Sequence, residues 1–198
     1  MAKIAIIYYS ATGTTYKIAR AIEEGAKQTG AEVRVLKVKE LAPEEAIASN
    51  EGWSSHRLET QAIPEATLGD LEWADAIILG TPTRYGLPSA QLKQFIDTTG
   101  QLWGQGKLVN KIGSSFTSIA TAHGGHESTL LAINNVFYSW GCIIVAPGYA
   151  DPIQFQSGNP YGTSFTSQNG TVPPDEVALN AARFQGKRVG EVTKMFGK

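Results

Sequence analysis

Residues 8 to 20 read YYSATGTTYKIAR, so Ser10, Thr12, Thr14 and Thr15 place four hydroxyls around Gly13 within a single short turn. The stretch before it, Lys3 to Tyr9, is almost entirely Ile, Ala and Tyr, as in a strand buried on both faces. After it, Ile18, Ala21, Ile22 and Gly25 recur at steps of three and four, the spacing of a helix face. The first N–H groups of a helix have no intrahelical partner and carry the positive end of its dipole. Hydroxyls gathered there do one of two things: with the free amides they surround a phosphate, or one of them, Ser10 or Thr12, simply caps the helix.

Two later stretches share this character, TPTRYGLPS (Thr81 to Ser89) and SIATAHGGHES (Ser118 to Ser128). Neither GxxxxGK[ST] nor a GxGxxG after the first strand is present, so neither a nucleoside triphosphate loop nor a dinucleotide fingerprint is expected. The GxG within WGQGKL, at Trp103, does not follow a strand. Thr83, Arg84, Tyr85, Gly86, Gly124 and Gly125 can bring backbone close to a flat polar ring and cover it with an aromatic side chain. A phosphate at one end and a ring at the other describe a mononucleotide such as FMN.

The elements that must position these loops alternate along the chain. Strands are expected at Lys3 to Tyr9, Val33 to Val38, Ala74 to Thr83, Lys111 to Ala120 and Cys142 to Gly148. Helices are expected after the first loop, at Ser89 to Thr99, at Glu127 to Trp140 and from about Pro174 to Phe196. Each parallel return needs a crossover of a dozen or more residues, so the alternation predicts an α/β fold: a doubly wound five-stranded parallel sheet between two helical layers, in one domain spanning residues 1–198. In such sheets ligands bind beyond the carboxyl ends of the strands, where the strand order reverses. The three hydroxyl-rich and glycine-rich loops all follow strands. Two segments interrupt the pattern, Leu41 to Leu68 and Asp151 to Pro174, and both are candidate lids or subunit contacts.

Bulk properties narrow the class of function. The chain is 42% hydrophobic and 18% charged with a formal net charge of -1, and it has no Lys/Arg stripe for nucleic acid. No apolar run approaches the roughly 20 residues of a membrane span. Met1-Ala2-Lys3 leads straight into the first strand without a signal-peptide pattern, and Cys142 is the one cysteine, so a cytoplasmic protein is expected. His123, His126 and Glu127 lie in a glycine loop in an order unlike the helical zinc motif, and no metal is expected. A phosphoacceptor domain of similar topology needs a carboxylate cluster where this chain has Tyr8-Tyr9-Ser10 and Gly80-Thr81-Pro82-Thr83. An electron carrier of this topology remains the alternative, although such carriers dock through strongly acidic surfaces.

Several motifs occur in consistent order. Ser-x-Thr-Gly-x-Thr at Ser10 to Thr15 resembles the phosphate loop of flavodoxin-like proteins. GTPTRYG (Gly80 to Gly86), GQLW (Gly100 to Trp103), HGGHE (His123 to Glu127), PGYAD (Pro147 to Asp151), NPYG (Asn159 to Gly162) and ARFQGKRV (Ala182 to Val189) together resemble the WrbA family of NAD(P)H:quinone oxidoreductases over essentially the whole chain. The resemblance implies a flavodoxin-like fold, one FMN per subunit, a homotetramer, and two-electron reduction of quinones by NADH or NADPH through flavin N5. By position, Ser10, Ala11, Thr12, Gly13, Thr14 and Thr15 would hold the phosphate. Pro82, Thr83, Arg84, Tyr85 and Gly86 would contact the ribityl chain and ring. Ser118, Ile119, Ala120, Thr121, Ala122, His123, Gly124 and Gly125 would line the ring's polar edge. Trp103 would match a tryptophan beside the nicotinamide or quinone. The chain departs from the family pattern at Thr12, where some relatives have a tyrosine touching the nicotinamide, and at Trp140, where a histidine near the flavin is usual; both are expected on the substrate side. No side chain is nominated as a catalytic acid or base.

Overall fold

The computed structural model describes residues 1–196. The strands are β1 (Lys3–Tyr8), β2 (Glu32–Lys37), β3 (Ala76–Arg84), β4 (Leu87–Pro88), β5 (Ile112–Ile119), β6 (Ile143–Ile144) and β7 (Ser164–Thr166). The helices are α1 (Thr14–Gln28), α2 (Glu44–Ala48), α3 (Glu51–Glu59), α4 (Leu68–Trp73), α5 (Ala90–Asp97), α6 (Gly100–Gly104), α7 (His126–Trp140), α8 (Pro152–Ser157) and α9 (Glu176–Phe196). A parallel sheet runs in the order β2-β1-β3-β5-β6, with β4 antiparallel to β3 and β7 parallel to β5. The order reverses between β1 and β3, and the crevice at their carboxyl ends is where the first two hydroxyl-rich loops emerge.

Alternation along each strand divides the core into two layers. Ala5 and Ile7 of β1 face one layer with Leu92, Phe95, Ile133 and Phe137. Ile4, Ile6 and Tyr8 face the other, with Ile18 and Ile22 of α1 and Ala182 and Val189 of α9. β1 and β3 are apolar on both sides, as their near-continuous Ile and Ala anticipate, whereas β5 buries Ser114, Ser115 and Thr117, each hydrogen-bonded.

The five expected strands form the parallel core, but the fifth is shorter than the expected Cys142 to Gly148. Beyond Ile144 the chain leaves the edge, and β7 takes over the upper half of β5 through the pairs Thr117 with Ser164 and Ile119 with Thr166. The two interrupting segments also carry structure: α2 and α3 lie within Leu41 to Leu68, and α8 and β7 within Asp151 to Pro174.

Gln185 pins the carboxyl-terminal helix to the sheet from a fully buried position. Its side-chain oxygen accepts from the Thr163 N–H at 2.8 Å, and its amide donates to Ser114 Oγ and the Ser115 carbonyl, each at 2.9 Å. Leucine there keeps the volume and strands a buried N–H and a buried carbonyl. Gln185→Leu should cost about 2 kcal/mol in urea unfolding, with an unchanged denaturant slope.

Candidate functional site

The first loop ends at Gly13, which occupies the N-cap of α1 with a left-handed φ of 96°. No side chain caps the helix and no acidic residue stands in its first turn. The capping alternative is therefore not what the structure adopts: Ser10 Oγ accepts from the Gly13 N–H at 3.1 Å, leaving the amides of the first helical turn without a side-chain cap. Thr14 and Thr15 are almost fully buried, and the Thr15 hydroxyl bonds that of Ser118 at 2.8 Å, tying the first loop to the third.

The second and third loops meet backbone to backbone. A side chain on Gly125 would begin 2.6 Å from the Gly86 Cα, so glycine at both positions lets the two turns close on each other. The hydroxyls of Thr83 and Thr129 are hydrogen-bonded across the same seam. Tyr85, in the left-handed region at φ 54°, is fully exposed on the rim.

Together the loops wall a cavity of about 700 Å³. Ser10, Ala11, Thr12, Thr14, Thr15, Pro82, Thr83, Arg84, Tyr85, Ser118, Ile119, Ala120, Thr121 and Gly124 line it. Gly13 is buried behind the loop, Ala122 and His123 are exposed outside the cavity, and Gly86 and Gly125 form the seam. Arg84 and Tyr85 are the ionisable side chains among the described lining residues. The walls thus carry one cation and no carboxylate, an arrangement that favours anionic ligands.

Five lining residues were missed in the sequence: Asn50, Trp53, Ser167, Asn169 and Gly170. The first two belong to α3 and its cap, where the Asn50 side chain accepts from the Trp53 N–H. The Trp53 indole donates to Glu40 at 3.2 Å. That carboxylate also accepts from Tyr9 Oη, Gln91 Nε2 and the amides of Leu41 and Ala42. Burial opposes its charge, yet these donors outweigh burial and hold Glu40 below the usual carboxylate range. The other three follow β7 and close the cavity over Thr12; a side chain on Gly170 would begin 2.3 Å from the Thr12 hydroxyl. Their signal was the Gly-rich and Asn-rich stretch marked as a candidate lid.

Two expected substrate residues are not brought to this cavity. Helix α6 precedes β5, so Trp103 lies toward the amino-terminal ends of the strands, 58% exposed, with its indole N–H on the Ser139 carbonyl at 2.8 Å. Trp140 ends α7 at the same far end and is buried edge-to-face against Phe137. An indole is large and mostly apolar, and that of Trp140 completes the core beneath the sheet. His126 Nε2 lies 3.1 Å from the Thr166 hydroxyl, and burial lowers its pKa.

The sequence pattern of the NADPH-dependent FMN reductase family matches residues 2–154. A protein of Sinorhizobium fredii named NAD(P)H dehydrogenase (quinone) is 46% identical over 198 residues, 97% of each chain. One of the same name from Deinococcus radiodurans is 42% identical over 197 residues, 98% of each. This chain belongs to the WrbA family of NAD(P)H:quinone oxidoreductases. Among solved structures, a WrbA-like flavodoxin from Agrobacterium tumefaciens superposes with a TM-score of 0.69 at 26% identity, covering 98% of this WrbA-family chain and 99% of the other. The flavodoxin of Megasphaera elsdenii, at 18% identity and a TM-score of 0.59, shares the fold.

The donor set of this family member suits FMN. Uncapped helix amides and neighbouring hydroxyls fit a phosphate dianion without a lysine. The glycine seam admits close backbone approach, and Trp53 and Tyr85 offer aromatic faces to a ring.

Proposed function

We infer that this chain is an FMN-dependent NAD(P)H:quinone oxidoreductase. The observation that carries the reading is the uncapped start of α1, opening with its hydroxyls onto a carboxylate-free cavity of about 700 Å³. When bound, FMN supplies the redox chemistry, accepting a hydride from NADH or NADPH and delivering two electrons to a quinone. Ser10, Thr12, Thr14, Thr15 and the first amides of α1 hold the phosphate. Pro82 to Gly86 and Ser118 to Gly125 orient the ring and present backbone donors where negative charge develops. Trp53 is fixed by Glu40 and Asn50 and keeps water from one wall. Arg84 and Tyr85 are the ionisable side chains among the described lining residues, and no side chain is assigned as an essential acid or base.

The nicotinamide and the quinone use one site in turn, which makes the kinetics ping-pong. The protein is a cytoplasmic homotetramer in this reading. Support for assembly comes from the exposed apolar surface of Trp103, Val109 and Tyr138, and a substrate role for Trp103 would require another copy. Burial pushes the Cys142 thiol up to about 11, which suits an inert packing role.

The test is spectroscopic. Protein supplied with FMN should acquire a bound-flavin band near about 450 nm, NADH or NADPH should bleach it without oxygen, and benzoquinone should restore it. A protein that stays colourless at micromolar FMN overturns the flavin reading. Bleaching slower than one-electron exchange with a reductase favours an electron carrier.

A further inference from the structure

The turn at Ser10 to Thr15 is backed by a side chain that neither the family pattern nor the cavity brings forward. His56, on α3, is 5% exposed, and its Nδ1 has no hydrogen-bond partner. This is the His56 atom that comes nearest to the position where a side chain on Gly13 would begin, 3.3 Å away. Gly13 is the N-cap of α1, so the buried, unpartnered Nδ1 of this imidazole lies beside the start of the helix whose amides face the anion site. His56 stands behind the turn: with Tyr8, Ser10 and Trp53 it lines a second cavity of about 570 Å³.

Orphaned buried polar atoms are rare because each costs a desolvation penalty, and one beside a functional loop calls for a reason. The surroundings supply it. Lys17 of α1 and Lys37 at the end of β2 act on the ring through space, the positive end of α1 lies beside it, and the Tyr16 ring packs on it at 5.4 Å with Tyr8 stacked behind Tyr16. The one carboxylate in reach, Glu59 on the same helix, is 3.5 Å from Nδ1, makes no hydrogen bond to it and lies largely in solvent. Burial holds His56 below the usual histidine range; Glu59 opposes it most, and Lys37 and Lys17 add smaller lowering influences. The missing element is a negative charge on the far side of Gly13.

We propose that His56 is a residue of the phosphate site, backing Gly13 and taking up a proton from solvent when a phosphate monoester is seated in the turn. The inference rests on the flavin reading above. It makes His56 a positioning residue that acts on the anion through the loop and does not touch it. The sign follows from linkage: anion binding raises the affinity of His56 for a proton, so its contribution to binding grows as the pH falls and is absent at alkaline pH. Riboflavin, which has the ring without the phosphate, does not engage it.

The experiment compares FMN with riboflavin binding between pH 5.5 and 8.5, for the wild type and for His56→Gln, which keeps a polar side chain that does not titrate. The phosphate's own protonation near about pH 6 is common to both proteins and cancels in the comparison. Relative to His56→Gln, the wild-type preference for FMN over riboflavin should rise about three- to tenfold from pH 8 to pH 6. On wild-type protein, side-chain ¹⁵N spectra should show one of the three histidines shift towards imidazolium when FMN is added at pH 6.5, and not when riboflavin is added. This arm stands even if the variant does not fold. Identical pH profiles for the two proteins, or histidine signals that FMN leaves unmoved, overturn the role of His56 while FMN binding itself persists. Failure of both proteins to bind FMN overturns the flavin reading together with it.

Discussion

Gly186→Ala should lower the melting temperature by about 10 °C, and Gly25→Ala by a comparable amount. The two glycines face each other across the α1–α9 contact. A methyl on Gly25 would begin 1.8 Å from the Arg183 carbonyl oxygen, and one on Gly186 would begin 1.9 Å from the Ile22 carbonyl oxygen. Both obstacles are backbone, so no rotamer relieves them and the helices must separate. Alanine has the higher helix propensity, a gain of about 1 kcal/mol that opposes the effect. Separating the helices costs more than this gain, because Ile18, Ile22, Ala182 and Val189 share a core layer with β1 and β3. A net loss of about 3 kcal/mol corresponds to roughly 10 °C in a domain of this size. The paired variant should lose less than the sum, since once one methyl has pushed the helices apart the other has room. Calorimetry of the two single variants and the double decides it; melting within about 2 °C of the wild type for either single variant would show that the contact yields.

The same contact shows what the sequence could and could not reveal. Both glycines stand in helices that periodicity found, because Ile18, Ala21 and Ile22 in the first and Val177, Ala181, Phe184 and Val192 in the last are apolar at the right steps. The parallel core was readable for the same reason, since buried strands of Ile and Ala leave little ambiguity. What escaped was structure whose inward side is polar. Helix α3 turns Trp53, His56 and the following Thr60 inward at steps of three and four, yet two of these residues are polar, so no hydrophobic stripe marks the helix. They are buried by what surrounds them: a glycine turn, the Glu40 carboxylate and the Tyr16 ring. Strand β7 escaped because Ser-Phe-Thr becomes a strand only where β6 stops short and frees the edge of β5.

The site was legible to a similar extent. Loop composition located three of its walls, because an anion site needs glycine, hydroxyls and a helix start, all local signals. The remaining walls, from α3 and the stretch at Ser167 to Gly170, depend on packing between distant segments and left only the trace of two irregular regions. Trp103 and Trp140 illustrate the converse. Their positions along the chain were matched by motif, but helices antiparallel to the strands carry both to the opposite end of the sheet, and only Trp103 remains accessible there.

Thr15→Val should weaken FMN binding by about ten- to a hundredfold while changing riboflavin affinity less than about threefold. Valine reproduces the shape of threonine, so the start of α1 keeps its packing. What is lost is one hydroxyl, 1% exposed as a residue and already joined to Ser118 Oγ at 2.8 Å. Two hydroxyls that bond each other have one proton between them and one left over. If FMN occupies the cavity as proposed, the spare proton, on whichever hydroxyl accepts, would be free to reach the phosphate. A hydrogen bond to a charged group contributes about 1.5–3 kcal/mol, which is about ten- to a hundredfold in Kd. The loss should fall mainly on FMN, because the Thr15 hydroxyl reaches the segments proposed to orient the ring, Pro82 to Gly86 and Ser118 to Gly125, through its one bond to Ser118. Ser118 lies in both parts of the site, so Ser118→Ala should weaken both ligands, FMN more. Fluorescence titrations with the two flavins separate the cases. Equal losses for FMN and riboflavin in Thr15→Val would mean that the Thr15–Ser118 bond only holds the third loop in place. No loss for either would remove the turn from the binding site.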